Sequence, residues 1–127
     1  MTKIALAASL VCLCISAHAS DDLYSPAYAQ CMDTSGGVTA AMHDCIGEEH
    51  ARQDARLNAA YKKLTALLPA ERKNELRAVQ RLWIQYRDAN CRFYADPDGG
   101  TLATLRAGLC GLEMTAQRAK ELELLME

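Results

Sequence analysis

The chain has 127 residues, half of them hydrophobic, with 14 Lys and Arg against 16 Asp and Glu and a formal net charge of −2. That length supports one domain around one core. The slightly acidic balance, with no basic cluster, argues against nucleic acid as a partner.

Lys3 is followed by an apolar run over residues 4–15, and then by Ala17-His18-Ala19, which puts small residues at the −3 and −1 positions of a cleavage site. This pattern predicts a secretory signal peptide over 1–19 and a single folded domain over 20–127. A membrane-spanning helix needs ~20 apolar residues, and this run is shorter. Val11 and Leu13 precede Cys12 and Cys14, where lipid attachment would want a small residue. No stable membrane anchor is therefore expected after cleavage, and the predicted location is the periplasm or, by release, the medium. Cys12 and Cys14 leave with the leader, so Cys31, Cys45, Cys91 and Cys110 remain. An even number of cysteines in an exported chain predicts two disulfides.

Residues 21–33 read as a short lead-in helix, with Tyr24, Ala27, Tyr28 and Cys31 at helical spacing. Thr34-Ser35-Gly36-Gly37 breaks it. A long second helix is predicted over 38–68, with Thr39 as the candidate cap. Met42, Cys45, Ile46, Leu57, Ala60, Tyr61, Leu64 and Leu68 trace its apolar stripe. Between 48 and 56 that stripe passes through Glu49 and Gln53, with Asp54 and Asn58 beside it. Gly47 costs about 1 kcal/mol relative to Ala and marks a place for a kink. Pro69 suits the start of a third helix, where its missing N–H costs nothing. The tight link Leu68-Pro69-Ala70 predicts that the second and third helices are antiparallel neighbours.

The third helix, predicted over 70–94, holds the sole tryptophan. Gln80, Trp83, Ile84, Arg87 and Cys91 share one of its faces, widened by Leu76, Val79, Tyr86, Asn90 and Tyr94. An amide, an indole N–H and a guanidinium on a face meant for burial need partners, because an unpaired group costs about 1–3 kcal/mol. Counting outward from Pro69 sets Tyr61 against Gln80, Asn58 against Trp83 and Asp54 against Arg87. A half-buried network of Asp54, Asn58, Gln80 and Arg87 is the expectation. Asp96-Pro97-Asp98-Gly99-Gly100 then forms an acidic turn, and Thr101 is the candidate cap for a last helix over 102–125. The stripe of that helix is Leu102, Leu105, Leu109, Leu112, Ala116, Ala119 and Leu122; Gly108 and Gly111 mark either a close approach or a break. The fold class is all-α: a small disulfide-stapled bundle of three long helices plus a short N-terminal one.

Four cysteines allow three pairings. Cys31–Cys45 and Cys91–Cys110 each flank a Gly-Gly turn between two helices and are favoured, with Cys45–Cys91 and Cys31–Cys110 as the open alternative. A loop of this size closed by a disulfide is worth about 3 kcal/mol in the chain-entropy model.

Cys45, Leu57-Asn58-Ala59-Ala60-Tyr61, the run Gln80-Arg81-Leu82-Trp83-Ile84-Gln85-Tyr86-Arg87-Asp88-Ala89-Asn90-Cys91, Gly99-Gly100-Thr101, Cys110 and Arg118 together resemble the lysozyme-inhibitor LprI-like domain family, long catalogued as a bacterial domain of unknown function. The resemblance spans about residues 31–122. It implies an exported, helical, disulfide-bonded bacterial envelope domain and, in some members, inhibition of lysozyme.

The expected function is binding: occlusion of lysozyme or a related cell-wall hydrolase. The alternative is an envelope structural or interaction module with another protein partner, and a hydrolase is a third class. Oligomeric state stays open. Asp54, Asn58, Tyr61, Gln80, Trp83, Arg87 and Arg118 read as a structural network more readily than as a groove, since a paired Arg and Asp are tolerated inside only with good geometry. Asp96, Asp98, Gly99 and Gly100 form the candidate partner-binding element, because an acidic loop is steered toward a basic enzyme. His43, Cys45 and His50 make a poor metal site: His43 and Cys45 lie on different faces, His43 and His50 are two turns apart, and the cysteine is expected to be oxidised. Glu48 and Glu49 with His50, or Asp96 with Asp98, lack a positioned nucleophile or oxyanion donor and read as solvated charges. No enzyme activity and no cofactor are expected.

Overall fold

A computed structural model describes residues 23–127, so the leader expected over 1–19 lies outside the described residues. It contains four helices: α1 (Pro26–Thr34), α2 (Thr39–Leu67), α3 (Ala70–Tyr94) and α4 (Gly100–Leu124). This is the all-α arrangement of three long helices and a short first one, and the disulfides join Cys31 to Cys45 and Cys91 to Cys110.

α3 begins at Ala70 as expected, but the other three helix starts differ from the expected ones. α1 begins at Pro26, because proline is preset for the first helical position and holds the residue before it extended, as Ser25 is. Tyr24 therefore precedes the helix. Val38, not Thr39, is the N-cap of α2. α4 starts at Gly100 with Gly99 as its N-cap, two residues before the expected start, and Thr101 is already inside the helix. α2 runs unbroken through Gly47, and α4 through Gly108 and Gly111.

The larger correction concerns which helices pack together. The most extensive contact is between α2 and α4, followed by α3 with α4 and then α1 with α2; α2 and α3 are not a principal pair. His43 meets Thr104, His50 meets Thr115 and Arg56 meets Glu123, so α2 and α4 run parallel. Gln80 meets Arg118 and Cys91 meets Cys110, so α3 returns antiparallel along α4. The reason is side-chain size. Ala60 on α2 and Ala116 and Ala119 on α4 are all buried. A Cβ added at Gly108 would already sit 3.4 Å from Ile46 Cγ2. Small residues let the two helices approach closely and bury the aliphatic stripe of α2, which the long polar side chains of α3 do not allow.

Two apolar clusters lie along that seam. Leu57, Ala60, Leu64, Ala119 and Leu122 form one, with Tyr61, Leu68, Leu76, Trp83 and Met126 against it. Ile46, Leu105 and Leu112 form the other, covered by Tyr24, Tyr28, Met32 and Met42. Leu102 and Leu109, expected in the stripe of α4, are exposed. Only Cys91 of α3 is buried, and Ile84 is exposed despite its place in the expected stripe.

Between the clusters the seam turns polar. Glu49 is fully buried and takes four hydrogen bonds: from the Ser25 backbone N–H (2.7 Å), the Ser25 hydroxyl (2.5 Å), Arg52 Nε (2.8 Å) and Gln53 Nε2 (2.7 Å). Glu48 is solvated as expected, but Glu49 is not. Arg56 grips Glu123 of α4 through Nε (2.8 Å) and Nη2 (2.6 Å), and its Nη1 reaches the Leu23 carbonyl (3.4 Å). Glu49 and Arg56 together fasten the segment before α1 onto α2. The Arg56–Glu123 pair is about one third exposed, so solvent weakens it. Glu123→Gln is expected to cost no more than about 1 kcal/mol, read as a drop of a few degrees in the thermal midpoint that shrinks in high salt.

Candidate binding surface and the polar network behind it

The sequence-selected polar residues divide into three groups. The first gathers on α4. Arg118 is 7% exposed, donates from Nε to Gln80 Oε1 (3.1 Å) and pairs through Nη1 with Glu121 (2.7 Å). Two guanidinium groups lie over the Trp83 ring, with Arg87 Cζ 5.0 Å and Arg118 Cζ 5.9 Å from its centroid. Such stacking is attractive because a cation faces the negative face of the ring. Arg87 pairs with Asp88 (2.8 Å) and donates from Nη1 to Thr115 Oγ1 (3.4 Å). Thr115 is fully buried and also meets His50 Nε2 at 3.1 Å. Burial first, and then the Arg87 charge, lower the His50 pKa below 6.5, so the ring stays neutral at pH 7.

The second group stays on α2. Asn58 donates to Asp54 (3.1 Å) one turn away. The expected pairing of Asp54 with Arg87 is replaced by the α4 contacts, because α4 rather than α2 faces α3. Tyr61 packs on the cluster around Leu57 and Leu122.

Thr115 is absent from the expected site residues, and His50 enters them only as a metal ligand or, beside Glu48 and Glu49, as an acid–base group. A signal for Thr115 was present: Leu112, Thr115, Ala119 and Leu122 fall on one helical stripe, and all four are fully buried. His43, Cys45 and His50 have separate partners: Thr104, Cys31 and Thr115. Among the described residues, no cluster of three or more His, Cys, Asp or Glu side chains could hold a metal ion.

The third group is the exposed turn between α3 and α4. Asp96 accepts from the Asp98 backbone N–H through Oδ1 (2.9 Å) and from the Gly99 N–H through its carbonyl (3.0 Å). Gly100 has φ of 61°, a left-handed conformation that glycine adopts without strain. A Cβ at Gly99 would stand 2.6 Å from Ala103 Cβ. The two glycines thus let the chain reverse tightly, and Cys91–Cys110 staples the helices that carry it. A groove of about 440 Å³ beside the turn is lined by Phe93, Tyr94, Asp96, Pro97, Gly99, Ala103 and Arg106. A second, of about 510 Å³, continues between α3 and α4 past Tyr86, Asn90, Leu109 and Met114. Aromatic and polar side chains on a rigid, exposed edge suit recognition of another molecule.

A family model described as lysozyme inhibitor LprI matches residues 12–122. An uncharacterized protein of Rhizobium meliloti (strain 1021) is 30% identical over 97 residues, covering 65% of this chain and 70% of that protein. No solved structure matches the chain.

Proposed function

Because the chain belongs to the LprI lysozyme inhibitor family, we propose that it inhibits a lysozyme or related cell-wall hydrolase by occluding its cleft. The family is one of non-catalytic inhibitors, and the reading needs no chemistry from this chain. Its main support is the exposed acidic turn, ordered by its own hydrogen bonds and held close to a disulfide. Lysozymes are generally basic, so Asp96 and Asp98 speed encounter, while the stapled turn loses little conformational freedom on docking. Tyr94 and Arg106, lining the groove beside the turn, supply contact area next to the carboxylates. Two disulfides and an inhibitor family support a location outside the cytoplasm, where disulfides persist. Within this proposal it works in the periplasm or beyond, after loss of residues 1–19. Among the described residues, no helix is long and apolar enough to cross a membrane.

Titration of the oxidised chain against a c-type lysozyme on whole-cell substrate tests the proposal. Inhibition saturating near one chain per enzyme is the expected result. Asp96→Asn with Asp98→Asn is expected to weaken it at least tenfold, mainly through slower association, with the helical circular dichroism unchanged. Inhibition unaltered by the double substitution rejects the turn. No inhibition by a folded, thiol-free protein at large excess rejects this reading for c-type enzymes and favours an interaction module with another envelope partner.

A further inference from the structure

One face of α3 is left largely exposed among the described residues. Val79, Leu82, Tyr86 and Phe93 are 50, 66, 62 and 83% exposed. With Ala89, also exposed, they fall at alternating steps of three and four residues. That is the spacing of a seam between two helices that wrap around each other. The face turned to α4 is a different one, carried by Gln80, Arg87 and Cys91. The strip is bordered by Ala78 and Gln85, so it runs without a charge from Ala78 to Phe93.

We propose that this face binds a second copy of the chain, as an antiparallel two-fold pair of α3 helices. The strip is self-complementary, as an isologous interface requires. In the antiparallel stagger, each Tyr86 meets the partner's Ala89 and each Leu82 meets the partner's Phe93, large against small at the centre. Charge selects that direction. The first half of α3 is net basic, with Arg72, Lys73, Arg77 and Arg81 against Glu71 and Glu75, while Arg87 and Arg92 against Asp88, Asp96 and Asp98 leave its far end and the turn slightly acidic. An antiparallel pair sets the basic end of each copy beside the acidic turn of the other; a parallel pair sets like beside like. Four such side chains expose on the order of 500 Å² of apolar surface, the size of the largest apolar patch on a typical monomer, which is often functional. With the flanking Ala, Gln and Asn side chains, the strip reaches the lower range of specific interfaces, ~600–800 Å² per partner. A pair of this size is a reversible one. It goes beyond the inhibitory reading, and because Phe93 also lines the groove beside the acidic turn, pairing and lysozyme binding compete for that end of α3.

Sedimentation equilibrium of the oxidised, mature chain from low to high micromolar concentration tests this. The expected result is an average mass that rises up to twofold. Leu82→Glu with Phe93→Glu is expected to hold the mass at one chain, with helicity unchanged because both side chains face solvent in the single copy. Ala89→Arg, which puts a charge in the seam while keeping a good helix former, is expected to do the same. A wild-type mass that stays at one chain, or that doubles undiminished in folded Ala89→Arg, overturns the proposal. So does a strip that binds lysozyme but not its own copy, seen as loss of inhibition in the glutamate variant alongside a monomeric wild type.

Discussion

Replacing Glu49 with Gln is expected to destabilise the fold by about 2–4 kcal/mol, because donors arranged around a carboxylate lose their acceptor. All four donors to Glu49 come from Ser25, Arg52 and Gln53. An amide in its place would turn an N–H₂ group toward one of them. Burial pushes the Glu49 pKa up, but the bonds from the Ser25 hydroxyl, Arg52, Gln53 and the Ser25 N–H outweigh burial and hold it at about 2. A carboxyl that is harder to protonate when folded adds stability above its unfolded pKa. That contribution is lost as pH falls from about 4.5 toward 2. The neutral His50 acts in the same direction at higher pH: its folded pKa is lowered, so the unfolded chain takes up the proton first and stability falls as pH drops through the ordinary histidine range. Denaturant unfolding at a series of pH values is the measurement. Wild type should lose stability as pH falls through the histidine range and again below pH 5, and Glu49→Gln should lose less in the second window, from a lower start. A slope unchanged by the substitution would mean that Glu49 does not carry the acid sensitivity.

The second large effect tests which helix is central. Leu122→Ala is expected to cost about 3–4 kcal/mol, because the side chain is fully buried between α2 and α4 and its loss leaves a cavity that the surroundings fill only in part. Leu82→Ala, on the exposed side of α3, should change the stability of the dilute, unpaired chain by less than about 0.5 kcal/mol. Chemical denaturation of both variants gives the comparison. Equal costs would place α3 in the core and contradict the packing described above.

The contrast between these two leucines shows what periodicity conveys. Both sit on long helices, but only Leu122 falls in an expected apolar stripe; Leu82 belongs to none. The buried stripe of α2 was legible because Cys45, Ile46, Leu57, Ala60 and Leu64 keep a period near 3.6 over many turns. Glu49 and Gln53 were visible as interruptions of that stripe, but their burial was not. A carboxylate inside a protein is stable only when several donors converge on it, and one of them, Ser25, lies 24 residues away in the chain. The Trp83 motif was legible as a face needing partners. Its partners were assigned to α2 because a short link suggests neighbours, and they proved to lie on α4.

The sequence by itself determined the all-α class, the three long helices with their approximate limits, the disulfide-forming cysteines and the family. These follow from local properties: apolar spacing, proline and glycine at helix ends, and the order of a motif. Tertiary structure alone decided that α4 lies between α2 and α3, that Thr115 joins His50 to Arg87, that Glu49 is buried, and that one apolar face of α3 stays open. Each depends on how closely two helix surfaces approach. That distance is set jointly by small residues such as Ala60, Gly108, Ala116 and Ala119, which lie far apart in the chain and meet only after it has folded.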